Sequence, residues 1–323
     1  MDQLPRTPVI IPEVLDDPEV VRRLVADQGP YWPVQRYMAN AAEYAALSGN
    51  AEEQQVSAPV SRGDWAVDGS CLAPVEELLH LPAFCDGARR LFDAELVRPQ
   101  TIYVNLTWQL PFAQGAGHTD IPAFRGVDRT RHPVTFLTLM GASGLFEEER
   151  VKVATAVSWF YRGQDGGFEY WPDGPDSPSV IHEGAIDNTA VVGDNDFMWH
   201  RVRPTGRPED GMVTLELDSE LRREQDDTWR ITTGEQTVAT LPSDRLRISL
   251  SWKALVFDSD EDRRRYDEHT DDLDIDDVVE RFRTDLGARG VEVAIPRDPE
   301  RDPEFIRLLT SQYLRYPTSS SAA

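Results

Sequence analysis

The decapeptide TIYVNLTWQL (101–110) constrains the fold more than any other stretch of the chain. Ile102, Val104, Leu106, Trp108 and Leu110 fall on one side of an extended backbone, and Tyr103, Asn105, Thr107 and Gln109 on the other. A helix would scatter both sets around its circumference, so the segment reads as a strand with one apolar and one polar face. Further strand-like runs lie at 152–163, 168–172, 189–202, 212–217, 228–241 and 245–257, with a TGEQ hairpin turn at 233–236. HPVTFLTLMGASG (132–144) reads as a helix, because the charged EEER follows it.

Before residue 101 the periodicity is helical. Asp17 caps a helix with Pro18 in its first turn, Val20, Val21, Leu24 and Val25 on one face, and Gly29 as its stop. Helices are also expected over 36–49 and 74–96, with a polar loop at 50–64. Near the other end, Ile275, Val278, Val279, Phe282 and Leu286 form the stripe of an amphipathic helix capped by Asp274 and ended by Gly287. Three parts follow: a mostly helical 1–100 packed on the core, a β core over 101–257, and an acidic helical extension over 258–323. Helices, then a block of strands, then helices argue for a sandwich or barrel rather than alternating βαβ units.

Charge and cysteine usage narrow the partners. The formal charge of −24 argues against nucleic acid or an anionic membrane surface. Twelve acids and three arginines lie between Asp258 and Glu280, which reads as a solvated helical face. No apolar run approaches the roughly 20 residues of a membrane span, and MDQLPRTPVIIPE has no basic start followed by an apolar core. Cys71 and Cys85 form neither a disulfide framework nor a CxxC knuckle. The expectation is a soluble, cytoplasmic protein, with its oligomeric state open. Neither a GxSxG elbow nor a nucleotide-binding glycine motif is present.

The chemistry concentrates in GAGHTDIPAFRG (115–126). His118 and Asp120 stand two residues apart and project to the same side of an extended chain. Such a pair is weak evidence in an acid-rich protein, and His269-Thr270-Asp271 repeats HTD word for word. That second copy lies in the acid run DEHTDDLD with no histidine after it, whereas His118 follows a strand and has His200 downstream. Two imidazoles and one carboxylate on one face of a metal leave open positions, which suits ferrous iron. The plain alternative for His200 is a buried histidine bonded to a neighbour such as Asp196. In RLRISLSWKALVF, Arg247, Ser249, Ser251 and Lys253 share one face, and a guanidinium beside a hydroxyl makes a compact carboxylate receptor. An exposed polar face is the other reading of that row.

In this order, His118-x-Asp120, a distant His200 and Arg247-x-Ser249 resemble the iron(II)- and 2-oxoglutarate-dependent dioxygenases. GGFEYWPDGP (166–175) looks like that family's mid-barrel Gly-Gly strand, and AVVGDNDFMWHRV (190–202) is similar to the strand delivering its distal histidine. The resemblance spans roughly residues 100–257. It implies a mainly β fold, a double-stranded β-helix (jelly roll) with flanking N- and C-terminal helices. It also implies that His118, Asp120 and His200 hold Fe(2+), and that Arg247, Ser249 and Asn105 bind 2-oxoglutarate. O2 would be consumed, a small-molecule substrate hydroxylated, and succinate and CO2 released. Asp120 stands where halogenating relatives carry a small residue, which favours hydroxylase-type chemistry. The 47 residues from His200 to Arg247 exceed the family's usual spacing and imply an insertion at about 203–243, with Arg245 as the alternative arginine. Arg125, Gln109, Tyr161 and Trp171 are candidates for the substrate pocket. The competing expectation is a cupin-like isomerase, lyase or binding protein that keeps the metal ligands but needs no Arg-x-Ser pair.

Overall fold

The computed structural model describes residues 4–34, 56–112, 115 and 117–317. The helix expected over 36–49 lies outside the described residues. The first strands are β1 (Val9–Ile11), β2 (Trp32–Pro33), β3 (Val56–Ser57), β4 (Val60–Val67), β5 (Ser70–Cys71) and β6 (Leu96–Thr107). There follow β7 (Lys152–Trp159), β8 (Phe168–Tyr170), β9 (Val180–His182), β10 (Thr189–Gly193) and β11 (His200–Val202). Last come β12 (Leu215–Glu216), β13 (Glu220–Arg223), β14 (Thr228–Thr233), β15 (Gln236–Pro242) and β16 (Arg247–Phe257). The helices are α1 (Glu19–Asp27), α2 (Glu76–Leu79), α3 (Pro82–Phe92), α4 (Val134–Ser143), α5 (Asp260–Glu268), α6 (Ile275–Ala288) and α7 (Pro303–Tyr313). None of these helices is long and apolar enough to cross a membrane.

A large sheet runs in the order β1-β10-β7-β16-β6-β4-β2, with β5 paired to β4. Its pairings are antiparallel. The central strand β16 shows why it has two unlike faces. Ile248, Leu250, Trp252 and Ala254 join the main hydrophobic core with Leu78 and Leu79 of α2 and Phe84, Ala88 and Leu91 of α3. The Trp252 indole N–H donates to the Leu79 carbonyl at 2.8 Å. The alternate row, Arg247, Ser249, Ser251 and Lys253, points the other way, as the two-residue period of a strand requires. That inner face meets a small sheet ordered β11-β8-β9. Trp159 of β7 packs on Phe168 of β8 at 5.6 Å, within a cluster that includes Tyr170, Ile186, Val191 and Met198. The mainly β, antiparallel arrangement fits a jelly-roll core.

Between β11 and β16, β13, β14 and β15 make a three-stranded sheet of their own, and Thr233 pairs with Gln236 across the expected TGEQ turn. Its Leu221 exchanges backbone hydrogen bonds of 2.9 and 2.8 Å with Tyr31. Of the run expected over 212–217, only Leu215–Glu216 is strand.

The first hundred residues are less helical than their periodicity suggests. β4 begins inside the stretch expected to be a loop, and it lies beside β6. Its buried positions include Ser61 and Gly63, so no apolar alternation marks it. Gly63 is required there: a Cβ would lie 2.6 Å from the Tyr31 ring. The run expected over 189–202 also splits, because Phe197 and Met198 turn back to donate to the Asp194 carbonyl. His200 consequently starts a strand rather than ending one. The run expected over 152–163 stops at Trp159.

A second core joins α4, α6 and α7 through Phe136, Phe146, Phe282, Leu309 and Tyr313. The Asp274 side chain caps α6, accepting from the Asp277 N–H at 2.9 Å, and Val278, Val279, Phe282 and Leu286 face inward. Phe282 lies against Phe136, Phe146 and Tyr313 at 5.3–5.9 Å. Phe282→Ala should therefore cost about 3–5 kcal/mol in urea unfolding, the usual range for a buried phenylalanine. A loss under about 1 kcal/mol would contradict this packing.

Candidate metal centre

His118 and His200 meet because two separate segments form a short antiparallel bridge, each N–H donating to the other's carbonyl at 2.9 Å. Gly117 makes this approach possible. Its φ is +95°, and a Cβ would sit 2.9 Å from the His200 carbonyl oxygen. Asp120 is held two residues further on by its N–H, which donates to the Asn195 carbonyl at 2.8 Å. The result is a compact group: one ligand atom from each of His118, Asp120 and His200 lies within 4.8 Å of the others. The imidazole centres are 4.4 Å apart, and His200 Nε2 is 3.9 Å from Asp120 Oδ1.

The ring orientation of His200 is set from behind. Its Nδ1 is 2.9 Å from the Met198 carbonyl, which makes Nδ1 the protonated nitrogen and leaves Nε2 free. Its partner is thus a backbone carbonyl and not Asp196. Burial holds the His200 pKa below the usual histidine range, despite the charge of Asp120. His118 is exposed at the rim by accessible surface but crowded on its inner side. That crowding, and then the neighbouring His200, push its pKa down to about 4. Both rings are neutral at pH 7, the form that binds a metal. Burial opposes ionisation of Asp120, but Lys253 and the two histidines outweigh it and hold the carboxyl below its ordinary range. Lys253 Nζ donates to Asp120 Oδ2 at 2.7 Å, and Thr155 Oγ1 lies 3.3 Å from the same oxygen.

Arg247 stands on the same inner face as Lys253 and is 1% exposed. Its Nε donates to the Gly166 carbonyl at 2.6 Å and its Nη1 to Ser249 Oγ at 3.2 Å. Those are an uncharged carbonyl and a hydroxyl. Among the described residues no carboxylate lies within ion-pair distance of this guanidinium, and burial lowers its pKa to about 10. Tyr161 and Asp165, beyond ion-pair distance, offset this burial only in part, so the guanidinium keeps the capacity to bind an anion. Gly166 (φ +67°) is pressed against it: a Cβ there would lie 2.6 Å from Arg247 Cδ and 2.7 Å from Thr205 Oγ1. Among the described residues the buried Thr205 hydroxyl and the Asn105 side-chain oxygen have no hydrogen-bond partner, and Asn105 is the cross-strand neighbour of Ser249. Arg245 is exposed in the turn before β16 and is not part of this inner row.

The residues expected in a substrate pocket are mostly engaged elsewhere. Arg125 is buried, with Nε 2.7 Å from Asp271 and Nη2 on the Glu148 carbonyl. The second HTD therefore supplies a structural anchor through Asp271, while His269 is exposed and lies 3.0 Å from Asp272. The Gln109 amide donates to the carbonyls of Arg207 and Gly211 at 2.6 and 2.7 Å, so it secures that loop. Tyr161 donates to Asp165, whose other oxygen accepts from the Gly206 N–H at 2.6 Å. Burial and then this carboxylate raise the Tyr161 pKa. Trp171 is buried under the Arg201 guanidinium, and among the described residues its indole N–H has no hydrogen-bond partner.

Lys253 and Thr155 are contacts of the centre that sequence reasoning passed over. The signal for Lys253 was its place on the row with Arg247. Thr155 became visible only through the register that sets it opposite Lys253. Asp196, in the turn before His200, is buried nearby: burial raises its pKa to about 8, and among the described residues its Oδ2 has no hydrogen-bond partner.

No protein-family model matches the chain, and no curated protein matches it. Among solved structures it is similar to an oxidoreductase of the 2OG-Fe(II) oxygenase family from Burkholderia pseudomallei. There the identity is 13%, over 77% of this chain and 85% of that one, with a TM-score of 0.41. It is similar to HygX from Streptomyces hygroscopicus with nickel, 2-oxoglutarate and hygromycin B bound (10% identity, 77% and 83% coverage, TM-score 0.38). A third likeness is to a prolyl-4-hydroxylase from Pseudomonas putida (11% identity, 78% and 94% coverage, TM-score 0.34).

Two predictions follow from these placements. Arg125→Ala removes the buried group that binds Asp271 and the Glu148 carbonyl and should destabilise the protein by about 2 kcal/mol, whereas His269→Ala should change it by under about 0.5 kcal/mol. Equal thermal-unfolding shifts for the two variants would contradict the assignment. Asp196 has a folded pKa raised above its unfolded value, so its contribution is full below the unfolded pKa near 4 and is lost as pH rises through about 8. In metal-free protein, stability should thus fall from pH 5 to pH 8 more steeply than in Asp196→Asn, by at most about 1.4 kcal/mol per pH unit. Parallel curves in urea titrations at the two pH values would contradict this.

Proposed function

We propose that this chain is a non-haem iron(II)- and 2-oxoglutarate-dependent oxygenase that hydroxylates a small-molecule substrate, releasing succinate and CO2. One observation carries the reading: a two-histidine, one-carboxylate group shares the space between two sheets with a buried guanidinium that, among the described residues, has no carboxylate in ion-pair contact. The donor set fits Fe(2+), since neutral imidazoles and a carboxylate suit that ion and three protein ligands leave room for others. The guanidinium and the ligand group are linked through one short segment: Gly166, whose carbonyl receives Arg247, is two residues from Phe168, whose ring lies 5.4 Å from that of His200.

The chemistry supplied by bound Fe(2+) is the coupling of O2 reduction to decarboxylation of the keto acid and oxidation of a substrate C–H bond. The chain's own residues do the rest. His200 presents Nε2 because Met198 holds Nδ1, and with His118 and Asp120 it would hold the ion. Arg247 receives the distal carboxylate of 2-oxoglutarate through charge-assisted hydrogen bonds, and Ser249 adds a neutral donor. Asn105 sits across the strand pair from Ser249 and lines the same cradle. Trp159, Phe168 and Met198 close the floor and keep water from the reacting atoms.

The test is an anaerobic titration of the protein with Fe(2+) and then 2-oxoglutarate, followed by visible absorption. Chelation by the keto acid should give a weak charge-transfer band absent from either component alone. Arg247→Ala should weaken 2-oxoglutarate binding at least about tenfold, since it removes a charge-assisted contact. His118→Ala and His200→Ala should abolish the band, and His269→Ala should not. Iron binding without a band would retain the metal centre and favour the cupin-like alternative.

A further inference from the structure

Lys253 is adjacent to the proposed metal centre but cannot bind a metal as an ammonium group. We propose that it is a positioning residue: with Thr155, it holds Asp120 by Oδ2 and leaves Oδ1 as the single carboxylate oxygen offered to a divalent ion. The inference rests on the metal-centre reading above. Three observations carry it. Lys253 of β16 and Thr155 of β7 are cross-strand partners on the inner face of the large sheet. Both reach the same atom, Asp120 Oδ2, at 2.7 and 3.3 Å. The other oxygen, Oδ1, is the one that lies 3.9 Å from His200 Nε2.

The arrangement has a physical rationale. Asp120 belongs to no helix or strand, so its segment does not fix the carboxylate. A freely turning carboxylate could offer both oxygens to an ion and occupy a position needed by a ligand. Two donors anchored in a rigid sheet prevent that rotation. A lysine this close also repels a divalent cation, and the two effects predict opposite results when it is removed. If Lys253 only contributes charge, its loss tightens metal binding. If it positions Asp120, its loss weakens binding.

The experiment measures Mn(2+) dissociation constants by calorimetry on the full chain. Lys253→Met should raise Kd about 10- to 100-fold, the usual effect of removing a partner behind a ligand. Lys253→Arg should recover most of the affinity, and Thr155→Val should shift Kd in the same direction by less. The visible absorption of the Co(2+) protein supplies an independent readout. A released carboxylate should change the band position and intensity in Lys253→Met but not in Lys253→Arg. Unchanged or tighter binding in Lys253→Met, or an unchanged Co(2+) spectrum, overturns the proposal. Should Lys253→Met fail to fold, Lys253→Gln and Thr155→Val decide it, and unchanged Kd values in both overturn it. Wild-type protein that binds no Mn(2+) would instead remove the metal centre itself.

Discussion

The two-residue period of β16 is the constraint on which the rest of the structure depends. Because successive side chains leave a strand on opposite faces, one segment of eleven residues serves two environments. Its outward row is apolar and takes part in the core under α2 and α3. Its inward row places Arg247 at one end and Lys253 at the other. Neither cation could be moved by one residue without entering the hydrophobic core. The sites at the two ends of the row are thereby set at a fixed separation by backbone geometry, before any ligand contributes.

This arrangement explains how much was legible in the sequence. The alternation at 101–110 and 245–257 revealed the faces, and the ordered ligands could be read because metal chemistry allows few residue types. The structure brings His118, Asp120 and His200 together from segments 80 residues apart. What escaped detection has physical reasons. β4 hides its strand character because its buried side includes serine and a glycine under Tyr31. Arg125 looked like a pocket residue since it follows Asp120 closely, but its partner, Asp271, is distant in sequence. Gln109 continued the polar face on paper, yet its positive φ of 47° turns the backbone away from the strand. Register and tertiary pairing decide such cases, and neither is written in local pattern.

The centre also shows how buried charge is managed in a strongly acidic protein. Asp120 is ionised because Lys253 faces it, and Asp194 is paired with Arg150, while Asp196 nearby is held in its neutral form by burial. Charge matching is local, and the overall excess of acids resides elsewhere, much of it in the segment that begins at Asp258. Arg247 is the exception to this matching, which is why it is informative. Lys253, the other cation of the inner row, is in ion-pair contact with Asp120.

The bond between Arg125 and Asp271 has a wider consequence for motion. Arg125 follows the segment that begins with His118 and Asp120, and Asp271 lies in the approach to α6. The Leu273 N–H also donates to the Arg125 carbonyl at 2.9 Å, so backbone and side chain tie the same two segments. Local opening of the C-terminal helices would expose a buried guanidinium and slacken the segment before it together. Ties of this kind should make the two regions open together in native-state exchange. An ion captured in one of them would slow amide exchange in the other, although no ligand atom touches the helices.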